Sequence, residues 1–524
     1  MIFLGWIVLG EKGGNIQLVS KSEVDGLLPK GSYLTIEDKK SKFILRVSGS
    51  SQSEPYSPSP MVIDMDLSSL APDQRCQNII NAYRVKDLNE REDGLIDYIR
   101  PQSLARRSTQ EEIDLALGNV NEGPNVFLAT VHSGKNQILI DENGDHIKVK
   151  LPNDMFFHQT LVCGKTGSGK TVSIKYLSQY FVEELNGAVL AINVKDVDLL
   201  KMNESSKSTN PLVLKEWKSL KKEPHGISNF MIYYPANTFI SPTKGVNPIN
   251  CQKITLDVKE IDPESLTGLL QGISDMGAQS LPNIFRYWQD QQATKNNYEI
   301  FTFSNFVDYF QKGMYSDCTF DTLTENGHKS EIKLHRGTFD NVLRNLNLAS
   351  SFFDNSDAIS LSEDDILSRG KMSVIDVAGK NGIQFGSIIL RHLLSKIVAA
   401  KSEKRSTVPI LIIIDEVHQF YNTNASNQAL GDLDTICRTG RSQEIGVIFS
   451  SQNPTDIPKG LSSVINSTIF FKSDPKVAKS FDVSITAEEM ESLKKGFAAV
   501  SIHDLAQAKI LKFPLSYAGV FEES

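Results

Sequence analysis

Eight consecutive residues constrain this chain more than any other feature: Gly164-Lys165-Thr166-Gly167-Ser168-Gly169-Lys170-Thr171. They complete the pattern G-x-x-x-x-G-K-[ST], in which glycines let backbone N–H groups turn inward around an anion. The apolar run Thr160–Cys163 comes just before. After the turn, Ile174, Leu177, Phe181, Val182 and Leu185 recur at helical spacing. Strand, glycine turn and helix in that order aim a helix N-terminus, with its partial positive charge, at a phosphate. Lys170 is placed to reach β- and γ-phosphates, and the Thr171 hydroxyl to hold Mg²⁺.

From about residue 158 onward, short apolar runs alternate with helical segments, the pattern of a parallel α/β sheet. The runs are 160–164, 187–194, 230–235, 373–379, 410–416 and 445–452, with 467–472 as a further strand. Residues 258–370 read as a mostly helical insertion, which divides the core into 151–257 and 371–524. Residues 1–150 read differently. Short β-like runs fill 1–66 and suggest a small barrel or sandwich, and 71–118 looks helical and charged. Further β-like runs start at Asn125, Gln137 and His146, the last two joined by a hairpin at Glu142-Asn143-Gly144-Asp145.

A triphosphate site needs an acidic group on a neighbouring strand, and Ile410–Glu416 (ILIIIDE) supplies two. Its continuous apolar run reads as a strand covered on both faces. Asp415 at the end can hold the metal through water, and Glu416 can polarise the attacking water as general base. The strand 445–450 ends in Ser451-Gln452-Asn453-Pro454. The Gln452 amide either contacts the γ-phosphate or caps the strand. Asp196 follows another strand end, as ligand or as helix N-cap. Arg438 and Arg441 serve either as cations for a phosphoryl group, commonly in a neighbouring subunit, or as helix C-terminal charges.

Composition narrows the class of protein. Of 524 residues, 40% are hydrophobic and 23% charged, which suits a folded globular chain with several cores. The net charge of −8 means that a nucleic-acid partner must meet a local basic surface. Five scattered cysteines without a CxxC pair argue against a disulfide framework or zinc ribbon and for a reducing, cytoplasmic setting. The apolar start MIFLGWIVLG reads as a buried first strand and not a signal peptide, and no apolar stretch is long enough to span a membrane. The lysines 215, 218, 221 and 222 read as a solvated helix face, with a phosphate-contacting surface as the alternative.

The order GKTGSGKT, IIIDEVHQF, RTGRSQEIGVIFSSQNP resembles the HerA/FtsK group of P-loop ATPases, and within it the HerA branch. His158 ahead of the loop, Asp415-Glu416-Val417-His418, and Arg438 to Pro454 carry the likeness, which spans about residues 120–524. Two departures stand out: SQNP in place of the commoner SQRP, and Ser442-Gln443-Glu444 where Lys and Gly are common. The resemblance implies a RecA-like core with a small N-terminal β-barrel. It also implies a homohexameric ring that hydrolyses ATP with Mg²⁺ and moves duplex DNA through its pore. In its terms Gly164–Thr171 bind the nucleotide, Thr171 and Asp415 the metal, and Glu416 is the base. Gln452 is the sensor, and Arg441, then Arg438, is the trans-acting finger. It further implies a separate effector, a nuclease of the NurA type or a Sir2-like or other antiphage-defence protein. Two other functions fit the same residues: a nucleotide-gated scaffold that assembles and regulates an effector, and a conjugation or secretion motor of the related type.

Overall fold

The computed structural model describes residues 5–20, 27–38, 41–53, 77–88, 97–118, 121–195, 197–238, 240, 244–267, 270, 272–294, 301–378, 382–417, 440–453, 457, 464–505 and 508–522. Six strands near the N-terminus close into a barrel: β1 (Trp6–Lys12), β2 (Asn15–Ser20), β3 (Tyr33–Asp38), β4 (Ser41–Ser53), β5 (Gln77–Asp87) and β6 (Leu104–Arg107). Their order around the barrel is β1-β2-β5-β4-β3-β6. Alternation drives closure. Trp6 and Val8, Ile16 and Leu18, Leu34 and Ile36 point inward, and meet Phe43, Leu45, Val47, Ile80 and Ala82 in one apolar core. Closure also leaves the sheet without a free edge.

Two expectations for this region are corrected. The segment 71–118 is not helical as a whole: β5 and β6 lie in it, and the only helix among its described residues is Gln110–Leu117. The charges along 71–118 read as those of a helix, and Arg84, Lys86 and Asp87 are among them. Barrel closure decides otherwise, because Ile80 and Ala82 alternate into the core while those charges stay on the outer side. Residues 125–150 do not extend the barrel either. Strands β7 (Asn125–His132), β8 (Lys135–Ile138) and β9 (Lys148–Lys150) join the large sheet. The middle six residues of β7 are all buried, which requires cover on both faces. The turn expected at Glu142–Asp145 is present, with Ile140 bridging His146 across it.

The large sheet continues with β10 (Thr160–Cys163), β11 (Ala188–Asn193), β12 (Asn229–Pro235), β13 (Cys251–Thr255), a separate hairpin of β14 (Thr319–Leu323) and β15 (Lys329–Lys333), β16 (Ile359–Ser360), β17 (Lys371–Asp376), β18 (Ile410–Ile414), β19 (Ile445–Ser451), β20 (Ser467–Phe470), β21 (Phe497–Ser501) and β22 (Ile510–Lys512). Its order is β16-β13-β12-β17-β11-β18-β19-β10-β20-β21-β22-β7-β8, with β9 also on β7. Pairing is parallel from β16 to β20 and antiparallel beyond. All seven apolar runs named in the sequence fall on parallel strands of this sheet. Between 258 and 370 lie the helices 263–266, 275–294, 303–312, 336–349 and 363–366, together with the hairpin and β16. Phe285, Trp288, Phe306, Phe310 and Phe339 pack them into the core that also holds the sheet's Ile412 and Phe449.

Candidate nucleotide site

Strand order puts β19 between the loop strand β10 and the carboxylate strand β18. With strands about 4.8 Å apart, the phosphate loop and Asp415 stand roughly 10 Å from each other. That gap suits a terminal phosphate and a water, and the tip of β19 lies in its middle.

The loop runs from β10 into the helix Lys170–Glu183. Its glycines answer to contacts as well as to conformation. Gly164 has φ +157, and a Cβ there would lie 2.7 Å from Phe471 Cβ. Gly169 has φ +114, and a Cβ there would lie 2.9 Å from the backbone nitrogen of Gly496. The backbone N–H groups of Gly164, Lys165 and Ser168 already donate to Ser451, Lys472 and Lys165 carbonyls. Phosphate therefore falls to the other loop amides and the first turn of the helix, whose N–H groups lack partners within the helix. The Ser168 hydroxyl is buried here with no hydrogen-bond partner, a polar atom that an anion would satisfy. Lys170 is buried and donates from Nζ to the Gly164 carbonyl at 2.6 Å. Burial, then repulsion from Lys195, lowers its pKa, with Glu416 and Asp415 pulling the other way.

Asp415 and Glu416 follow β18 and are 5% and 1% exposed. Burial pushes the Asp415 carboxyl above the usual range, against the attraction of Lys195. Burial acts the same way on Glu416, but hydrogen bonds from Lys195 and Gln452 outweigh it and hold that carboxyl below the usual range. Glu416 sits at φ +45, in the left-handed region that non-glycine residues rarely occupy. This turn carries its carboxylate back to face the β19 tip. Gln452 donates from Nε2 to Glu416 Oε1 at 2.8 Å, and Gln452 Oε1 accepts the Thr166 hydroxyl at 3.1 Å. The amide thus links the loop to Glu416.

Two residues of the site escaped the sequence reading. Lys195 Nζ lies 2.7 Å from Glu416 Oε1 and 3.6 Å from Asp415 Oδ2. Asp198 Oδ2 accepts the Thr171 hydroxyl at 3.4 Å. Both follow β11, whose C-terminal end abuts β18, and that position at the ligand-binding edge was the available signal. Asp196, named there instead, lies outside the described residues, as do Arg438, His418 and Pro454. The oxygen set of Thr171, Asp415 and Asp198 suits Mg²⁺, which takes few protein ligands and completes its shell with phosphate and water. Among the described residues no group of three or more His, Cys, Asp or Glu forms a metal cage.

Arg441 and His158 stand elsewhere. Arg441 lies before β19, at the end away from Gln452, with its side chain 62% exposed and Nη2 3.5 Å from Asp154 Oδ2. The strand's length alone puts it about 20 Å from its own loop. His158 precedes β10 and stacks on His503 at 4.1 Å between ring centroids, so it does not face the phosphates.

A strand inserted between loop and carboxylates, whose tip touches both, makes this chain a P-loop ATPase. Comparison with known proteins narrows the type. Residues 138–397 match the family model "Helicase HerA, central domain". A relative named DNA double-strand break repair helicase HerA, from Saccharolobus solfataricus, is 23% identical over 405 residues, 74% of this chain and 69% of its own. A second of that name, from Sulfurisphaera tokodaii, is 23% identical over 164 residues, 30% of this chain and a third of its own. The solved bacterial conjugative coupling protein TrwBdeltaN70 overlays with a TM-score of 0.48 at 13% identity, covering 80% of this chain and 94% of that one. Residues 138–397 thus carry the central domain of a HerA-type P-loop ATPase. No helix among the described residues is long and apolar enough to cross a membrane.

Proposed function

We propose that this chain is one subunit of a homohexameric ring, located in the cytoplasm, that hydrolyses ATP with Mg²⁺ and translocates or remodels duplex DNA. In this reading the ring works with a separate effector, a NurA-type nuclease or a Sir2-like or other defence protein. The observation that carries the proposal is the Thr166–Gln452–Glu416 chain, which ties the phosphate loop to a buried general base.

The chemistry assigned to each residue is local. The loop amides and Lys170 bind and orient the triphosphate. Glu416 accepts a proton from the attacking water, a contribution of about 10²–10⁴-fold. Gln452 holds that carboxylate and reads the γ-phosphate position. Thr171 and Asp415, with Asp198 beside them, would hold Mg²⁺, which would neutralise phosphate charge. Arg441, with Arg438 as the other candidate, meets the γ-phosphate of a neighbouring subunit. A partition into an N-terminal barrel, a core of 151–257 and 371–524 that β7–β9 also join, and an insertion at 258–370 belongs to the same proposal.

The test is phosphate release by the purified protein with and without duplex DNA of graded length. Stimulation that rises with length supports translocation. Hydrolysis indifferent to every DNA argues instead for the nucleotide-gated scaffold.

A further inference from the structure

Lys195 occupies a place that the ATPase reading leaves without a role. It lies two residues beyond β11, outside the strand, and its side chain is 34% exposed, so the ammonium has a path to solvent. Its head reaches inward to both acidic groups, 2.7 Å from Glu416 Oε1 and 3.6 Å from Asp415 Oδ2. Those two carboxylates are among the most buried charges of the described residues and adjoin each other in sequence. Two like charges held so close out of water need a cation between them.

We propose that Lys195 is a placeholder cation. In the nucleotide-free protein its ammonium compensates the Asp415–Glu416 pair, and it must withdraw before Mg²⁺ can settle against Asp415. The inference rests on the reading of this site as an ATP site. It adds a positioning residue that competes with the metal and holds the base idle until nucleotide arrives. Three relationships support it. Lys195 and Mg²⁺ both need Asp415, and two cations sharing that carboxylate would repel. Glu416 Oε1 receives both the Lys195 ammonium and the Gln452 amide, so that oxygen is occupied while Lys195 stays. Lys170 is also turned inward, onto the Gly164 carbonyl, so Lys170 and Lys195 are both engaged with protein atoms.

The test uses the full chain and Lys195→Met, Lys195→Gln and Lys195→Arg. Thermal unfolding is followed without nucleotide across a MgCl₂ titration, and binding of a fluorescent ATP analogue is followed across the same titration. Loss of the ammonium in the Met and Gln variants is expected to lower the midpoint without metal, and Mg²⁺ alone should restore it. The Mg²⁺ concentration that half-saturates analogue binding should fall by up to about fivefold, the size of one such ion pair. Lys195→Arg should keep the wild-type requirement. A side chain with a packing role alone would lower the midpoint with no recovery by Mg²⁺. The Gln variant keeps a polar head should the Met variant fail to fold. An unchanged or raised Mg²⁺ requirement in the folded variants overturns the placeholder role alone. Failure of the wild-type protein to bind the analogue overturns the ATP site and this inference with it.

Discussion

Gln452 hands its amide N–H to Glu416 at 2.8 Å from the tip of the strand that separates the phosphate loop from the carboxylates. The same amide takes the Thr166 hydroxyl on its oxygen, so a shift of the loop would reach Glu416 through one side chain. Gln452→Ala should therefore leave ATP affinity within about threefold and lower kcat by roughly 10–100-fold, the worth of a hydrogen bond to a charged group. Equilibrium binding and steady-state phosphate release, measured on one preparation, check this. A matching loss in affinity would place Gln452 among the nucleotide-binding residues instead.

Arg441 stands about 20 Å of strand away from its own phosphate loop. Any role at a γ-phosphate must be played in another subunit. Arg441→Ala alone should lose about 10³-fold in kcat. Mixed with Glu416→Gln, itself inactive, it should regain activity, because some interfaces then pair an intact arginine with an intact glutamate. A mixture as inactive as its parts would remove Arg441 from this role, and Arg438→Ala in the same assay tests the other candidate.

The barrel and the helix Gln110–Leu117 are joined by one carboxylate. Glu112 accepts from Arg106 at 2.7 and 2.9 Å, from Thr35 at 2.7 Å and from the Thr109 backbone at 2.8 Å, and pairs with Lys42 at 2.7 Å. Burial works to raise its pKa, but these partners win and bring it down to about 2. A depressed carboxylate gives stability that is present above the unfolded value, near 4.5, and is lost as pH falls toward 2. The effect is on the order of 3 kcal/mol. Urea unfolding from pH 6 to 3 should show wild type losing its advantage over Glu112→Gln across that window. A difference that stays constant with pH contradicts the assignment.

The phosphate helix carries a titration of opposite sense. Lys175 is buried and donates from Nζ to the Gly519 carbonyl at 2.6 Å, and burial brings its pKa down to about 8. Below pH 8 folded and unfolded chains both hold the proton, and the folded state bears the cost of a buried charge. Between pH 8 and about 10 the folded chain releases it first, so stability rises with pH. Relative to Lys175→Met, wild type should gain on the order of 2 kcal/mol from pH 7.5 to 10 in denaturant titrations. A flat difference would mean that the ammonium is solvated.

Much of this was legible in the chain, and the reasons differ by element. Runs such as Ile410–Ile414 are apolar at every position, so only a strand covered on both faces explains them, and their order along the chain suits parallel pairing. Gly164–Thr171 was legible because its backbone requirements admit few sequences. Strand β5 was not. Its pattern QNIINAYRVKD mixes charges with apolar residues, and only closure of the barrel selects alternation over helical spacing. Strand β7 was legible as a strand but not in its partner, because the edge it joins is formed by β22, almost four hundred residues later. Lys195 and Asp198 were missed for a related reason. A lysine and an aspartate after a strand are ordinary in sequence, and only the neighbouring places of β11 and β18 bring them to the carboxylates and Thr171.

Hydrolysis by this chain requires a triphosphate held by Gly164–Thr171 with Glu416 as the proposed base at its terminal phosphorus. The most direct measurement compares ATP binding and phosphate release in wild type, Lys170→Ala and Glu416→Gln. Wild type should bind and hydrolyse, and Lys170→Ala should lose tight binding. Glu416→Gln should bind ATP at least as well as wild type while releasing phosphate at least about 100-fold more slowly. Wild-type release by Glu416→Gln, or equal binding by Lys170→Ala, would contradict it.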